Sequence, residues 1–163
     1  MTTGREIIYW DCCVLLSWIK GEPRPDEVQA RMEEVAQAVT QGRMRLITSV
    51  LTRTEVLQST LTDEARAKYE GVLQRRSINE ISVDVRVATL ASEIRDYYRR
   101  KDMKLKTPDA IHVATAILYR GDELHTFDHS DLIRLNGNVA EKYPMKIMVP
   151  HKPLGPLFDT KKG

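Results

Sequence analysis

Short apolar runs alternate along this chain with longer stretches whose apolar residues recur at helical spacing, and that alternation restricts the fold more than any other feature. Residues 7–10, 45–49, 78–83, 123–127 and 146–149 have the length and content of strands. Between them, residues 13–20 suit a helix ended by Gly21 and Pro23. Residues 26–41 place Val28, Met32, Val35, Ala36 and Val39 on one helical face, with Gly42 as the stop. A short helix carries Glu55. Thr62 caps a further helix with Ala65, Tyr69, Val72 and Leu73 inward, and Asp84 caps a long one bearing Val87, Leu90, Ala91, Ile94 and Tyr98. Thr107 caps the next, with Pro108 at its favoured first position. Asn136-Gly137 marks a turn before the last strand. Such an order argues for an α/β fold, a parallel sheet covered by helices on both faces.

The length of 163 residues suits one domain, with 42% hydrophobic and 29% charged residues as in ordinary globular chains. Residues 1–149 are expected to form that domain and residues 150–163 an irregular tail, which Leu154, Leu157 and Phe158 could dock. No apolar stretch approaches the roughly 20 residues of a membrane helix, and the first residues lead into too short an apolar run for a signal peptide, so the cytoplasm is expected. Cys12 and Cys13 are neighbours, which disfavours a disulfide; both read as reduced residues in or near the core. A net charge of +2 is not the footprint of a strongly basic nucleic-acid binder. Cations nevertheless cluster at Arg75-Arg76, at Arg99-Arg100-Lys101 with Lys104 and Lys106, and at Lys161-Lys162. They are either solvated helix ends or a rim that steers phosphates; Lys104 and Lys106, just ahead of Asp109, are the better candidates for the second role.

Four acids fall where strands end or helices begin: Asp11, Glu55, Asp109 and Asp128. In an open parallel sheet, ligands bind at the carboxyl ends of the strands. Two unit charges about 5 Å apart repel by roughly 3 kcal/mol at an effective dielectric near 20, so a gathered set needs a cation or protons. All-oxygen ligands suit Mg²⁺ or Mn²⁺, ions that activate water and steady a phosphoryl group in displacement. Each acid also has a local explanation. Thr52-x-x-Glu55 matches a capping box, Asp109 lies in a helix's first turn, Asp11 could begin a helix, and Asp128 could be a turn residue before Asp131. Glycine-rich phosphate loops and a serine nucleophile elbow are lacking, so nucleotide cofactors and serine chemistry have no support.

In their order, these residues resemble the PIN-domain nucleases, and within them the small VapC-type toxin ribonucleases, from about residue 7 to 149. The most specific part is Thr107-Pro108-Asp109-Ala110-Ile111-His112-Val113-Ala114-Thr115-Ala116, followed by Thr126-Phe127-Asp128-His129-Ser130-Asp131. The resemblance implies a single PIN-like domain, a three-layer sandwich around a mostly parallel five-stranded sheet, with the strands of Asp11 and Asp128 adjacent. It implies that Asp11, Glu55, Asp109 and Asp128 hold one or two Mg²⁺ or Mn²⁺ ions, with Thr126 as a hydroxyl near the metal. Asp131 is either a further acid or a cap for residues 132–134. The implied activity is endoribonucleolytic hydrolysis of RNA phosphodiesters, leaving a 5′-phosphate and a 3′-hydroxyl. The implied partners are a second copy in a homodimer and a small antitoxin protein. The family commonly has a small hydroxyl residue where this chain has Cys13, which leaves that side chain's hydrogen bond open. His112 and His129 flank the acids and read first as structural residues. A stand-alone RNA-processing nuclease, an RNA-binding module with little catalysis and, more weakly, a DNA flap nuclease remain as alternatives.

Overall fold

The computed structural model describes residues 4–74 and 78–151. The expected cationic pairs Arg75-Arg76 and Lys161-Lys162, and the docking residues Leu154, Leu157 and Phe158, lie outside the described residues.

Six strands form one sheet: β1 (Glu6–Trp10), β2 (Met44–Ser49), β3 (Ile78–Ile81), β4 (Glu123–His125), β5 (Gly137–Val139) and β6 (Tyr143–Met148), in the order β3-β2-β1-β4-β6-β5. All neighbours are parallel except β5 against β6. The helices are α1 (Cys12–Lys20), α2 (Asp26–Thr40), α3 (Thr52–Glu55), α4 (Asp63–Leu73), α5 (Val85–Arg100) and α6 (Thr107–Leu118). Successive strand side chains point to opposite faces. Ile8, Trp10, Leu46 and Ile78 therefore pack under α1, α2 and α4, while Tyr9, Ile47, Leu124 and Ile147 pack under α5 and α6. The result is the expected α/β sandwich, helices on both faces of a mostly parallel sheet.

Local signals explain the helix ends. Thr62 accepts from Ala65 N at 3.1 Å and Asp84 from Val87 N at 3.0 Å, as N-caps do. Gly21 closes α1 with φ of 62°, a conformation that glycine adopts without penalty. Three details depart from expectation. The cap of α6 falls on Lys106, so Thr107 and Pro108 lie inside the first turn. On α2, Ala38 rather than Ala36 is fully buried, and Arg31 is buried as well.

The third departure is the strand count. The sheet has six strands rather than five, because residues 137–139 fold back on β6 as a hairpin. That reversal is made at Ala140 and Glu141, both at positive φ (52° and 53°), rather than at Asn136-Gly137. Asn136 instead accepts from Ile147 N at 2.8 Å through its side chain. Ala-Glu carries none of the usual chemistry of such a turn, so the sequence does not announce it.

Strand order decides where the chain's ends of strands meet. The path runs outward from β1 through β2 to β3, then returns to the other side of β1 at β4. Neighbouring β1 and β4 are thus the switch point of the sheet, where loops diverge to leave a crevice. Asp11 follows β1 and Thr126–Asp128 follow β4 at that rim.

Candidate metal centre

Asp11 is the N-cap of α1 and is 5% exposed. Its Oδ1 accepts from Val14 N at 3.2 Å and from the Cys13 thiol at 2.8 Å; its Oδ2 accepts from the Thr126 hydroxyl at 2.5 Å. Burial pushes its carboxyl above the usual range, opposed by the bonds from Cys13 and Thr126 and by the nearby His112. The same Thr126 oxygen accepts from Asp128 N at 3.0 Å, so one buried hydroxyl ties the ends of β1 and β4 together. Cys13 fills the place expected for a hydroxyl residue and makes the bond left open there. Its sulfur also accepts from Phe127 N at 3.3 Å. Burial first, then the charge of Asp11, drives the Cys13 thiol up; burial, Glu55 and Asp11 push Cys12 up to about 12. Neither is a thiolate nucleophile near neutral pH.

Asp109, Asp128 and Asp131 each bring a carboxylate oxygen within 4.8 Å of the others. Asp109 comes from the first turn of α6; the other two come from the loop after β4. Asp128 also orders that loop, its Oδ1 accepting from Asp131 N at 2.9 Å and from the Ser130 hydroxyl at 3.0 Å. Its turn-forming and clustering roles therefore coexist. Burial and then the charges of Asp128 and Asp131 push the half-buried Asp109 up to about 6. Lys106 partly balances the group, its ammonium 3.1 Å from Asp131, and Arg134 stands 3.7 Å from the same residue. Lys104 is exposed and its carbonyl accepts from Arg134 at 2.6 Å, so of the two lysines only Lys106 reaches the acids.

Glu55 ends the four-residue α3 and is bonded to His112 Nε2 at 2.9 Å. The capping box expected from Thr52-x-x-Glu55 does not form: the N-cap is Leu51, without a side-chain bond, and the Thr52 hydroxyl pairs with Thr48 at 3.0 Å. Asp11 and Glu55 lie outside the 4.8 Å triad; His112 links the two groups, acting on Asp11 and Asp109 and bonded to Glu55. Burial, then the charges of Asp11 and Glu55, hold the phenol of Tyr9 well above its usual range. His112 is 2% exposed and makes its second bond to that phenol, at 2.5 Å. The structure thus places the predicted acids at one end of the sheet, engages His112 and Cys13, which the sequence had singled out, and adds Tyr9 and Arg134. Tyr9 and Arg134 are ordinary residue types at unremarkable spacings, and nothing in the sequence marked them.

A fold with β1 and β4 adjacent, carboxylates converging at their ends and a match to the PIN domain over residues 8–137 places this chain in the PIN-domain family. No curated protein matches the chain in sequence. Among solved structures it is similar to a chain of the Rickettsia felis VapBC2 assembly bound to a promoter DNA fragment, with TM-score 0.61, 15% identity and coverage of 86% of this chain and 98% of that one. It is also similar to a chain of FitAcB from Neisseria gonorrhoeae, with TM-score 0.60, 17% identity and coverage of 88% and 97%. A third is Mycobacterium tuberculosis VapC20, described as a sarcin-ricin loop cleaving toxin, with TM-score 0.53, 15% identity and coverage of 76% and 91%. At these identities the likeness is one of fold.

Proposed function

We propose that this protein is a metal-dependent endoribonuclease that hydrolyses RNA phosphodiester bonds, and that it acts as the toxin of a toxin–antitoxin pair. The convergence of Asp109, Asp128 and Asp131 within 4.8 Å, with Asp11 and Glu55 at the same rim, carries this reading. The donor set fits a hard divalent ion. It is all oxygen, and burial, then the charges of Asp128 and Asp131, push Asp109 up to about 6 against the opposing Lys106. Asp11, Glu55, Asp109 and Asp128 would hold Mg²⁺ or Mn²⁺, with Asp131 as a further acid. When bound, such an ion supplies water activation and offsets charge on the phosphoryl group. The protein's own groups do the positioning. Thr126 fixes Asp11 and Asp128 in one hydrogen-bonded unit, and Lys106 holds Asp131 while presenting a cation to an incoming phosphate.

Similarity in fold to chains of the VapBC2 and FitAcB assemblies supports an antitoxin partner, and a homodimer of this chain is part of the same reading. A cytoplasmic site of action goes with it; among the described residues no helix is long and apolar enough to cross a membrane. Lys104 remains a candidate contact for the RNA backbone away from the acids.

The direct test is cleavage of ribosomal RNA in Mn²⁺ by the wild type, Asp11→Asn and Asp109→Asn. Ribosomal RNA is the first substrate to try because the similar VapC20 is described as cutting the sarcin-ricin loop. Support of the ion is worth several kcal/mol, so each variant should lose at least about a hundredfold in rate while keeping its fold. Near wild-type cutting by both variants would sink the assignment.

A further inference from the structure

We propose that His112 is a positioning residue that holds the Glu55 carboxylate toward the acidic centre, and that Tyr9 sets the orientation of its ring. This rests on reading the acids as a metal centre. Glu55 stands on a helix of four residues that begins without a side-chain cap and gives way to extended backbone at Val56. A single turn restrains a glutamate with three rotatable side-chain bonds poorly. The restraint comes from α6. His112 lies one turn beyond Asp109 on the same helix face, so one rigid element carries an acid of the centre and the clamp on another.

The hydrogen bonds run in one direction. A carboxylate only accepts, so Nε2 of His112 donates to Glu55 Oε2 at 2.9 Å. In the neutral ring Nδ1 then accepts from the Tyr9 hydroxyl, at 2.5 Å. Tyr9 is 0% exposed near the C-terminal end of β1, and its ring meets the imidazole edge-to-face at 5.8 Å. The phenol thus anchors the imidazole to the central strand of the sheet. Oε2 is engaged, while Oε1 makes no hydrogen bond among the described residues and is free to take a ligand. Groups that orient a ligand in this way typically change metal affinity about 10–100-fold when removed.

Calorimetric titration of Mn²⁺ into the purified full chain tests this without reference to cleavage. In His112→Gln the side-chain amide reaches the place of Nε2 and keeps the bond to Glu55. In His112→Asn the shorter amide reaches only the place of Nδ1 and loses that bond. Mn²⁺ affinity is expected to fall at least about tenfold in His112→Asn and Glu55→Gln, and to stay within about threefold of wild type in His112→Gln. A residue that merely fills space would make affinity follow melting temperature in both histidine variants alike. Wild-type affinity in His112→Asn, or equal losses in the two histidine variants, overturns the positioning role. Should His112→Asn not fold, Tyr9→Phe replaces it: unchanged affinity there overturns the proposal and a clear weakening supports it. Unchanged affinity in Glu55→Gln also overturns it, yet leaves the aspartate centre standing. No Mn²⁺ binding by the wild type fails the metal-centre reading itself, and the positioning role with it.

Discussion

Asp109 carries opposite consequences for stability and for function. Its carboxyl, pushed up to about 6 by burial and by Asp128 and Asp131, binds its proton more tightly in the folded chain than in the unfolded one. Between roughly pH 4 and 6 the folded state therefore holds more protons, and this group's contribution to stability falls as pH rises. Above pH 6 the cost of burying this charge beside Asp128 and Asp131 is fully expressed. Asp109→Asn removes it, so the metal-free variant should be more stable than wild type at pH 7. Water reaches part of the side chain and weakens this cost, so the gain is about 1 kcal/mol, or roughly 2–4 °C in melting temperature. The advantage should vanish near pH 4. Mn²⁺ affinity should run the other way, weakening in the wild type as pH drops below 6. Calorimetry and thermal melts at pH 7, 6 and 4 check both; a variant less stable than wild type at pH 7 contradicts the strain assigned to the cluster.

Among the elements, α2 is tied to the sheet by a buried charge network rather than by apolar contact alone. Arg31 donates to Glu123 on β4 at 3.1 Å and pairs with Glu34 at the same distance, and both Arg31 and Glu123 are 5% exposed. His125 Nε2 donates to Glu123 at 2.7 Å, while its Nδ1 accepts from the Trp10 indole at 3.1 Å. Burial alone would raise the Glu123 carboxyl, but His125 and Arg31 outweigh it and hold the group down to about 2. Its stabilising contribution is present above about pH 4.5 and is lost as pH falls toward 2. Removing one partner of a buried pair leaves the other charge uncompensated, at a cost of about 3 kcal/mol. Glu123→Gln should lower the melting temperature by roughly 10 °C at pH 7, with the deficit shrinking as the wild type itself loses the carboxylate in acid. A double replacement with Arg31→Met should cost less than the two single changes added together. Strict additivity would mean that the network does not act as a unit.

For the molecule as a whole, the proposed centre spans the C-terminal ends of β1 and β4, the first turn of α6 and the end of α3. An ion bound there would contact segments far apart in sequence and stabilise only the folded chain. At a concentration about 100 times its dissociation constant, a ligand adds about 2.7 kcal/mol. Saturating Mn²⁺ should therefore raise the melting temperature by roughly 5–10 °C, and Asp109→Asn should abolish the increase. An equal shift in the variant would place the ion elsewhere.

The alternation of strands and helices, the caps at Thr62 and Asp84, and the apolar stripe of α5 were legible because they depend on residues within a turn or two of one another. The acids were legible as candidates for a related reason. Asp11, Asp109 and Asp128 sit at element boundaries that local patterning marks, in an order resembling the PIN family. Nothing local, however, indicates which strands are neighbours. The return of the chain to the far side of β1 made Asp11 and Asp128 share Thr126, and brought Asp131 within 4.8 Å of Asp109. Glu55 shows the difference most sharply. Its spacing from Thr52 matched a capping box, yet its partner is His112, 57 residues away. The hairpin through Ala140 and Glu141 and the buried Arg31 escaped for the same reason: a non-local neighbour made an unfavoured turn or a buried charge worth its free-energy cost. Sequence alone determined the class of fold and the residues able to carry the chemistry. The tertiary structure decided which of them meet, because meeting depends on strand order, and strand order is a property of contacts distant in the chain.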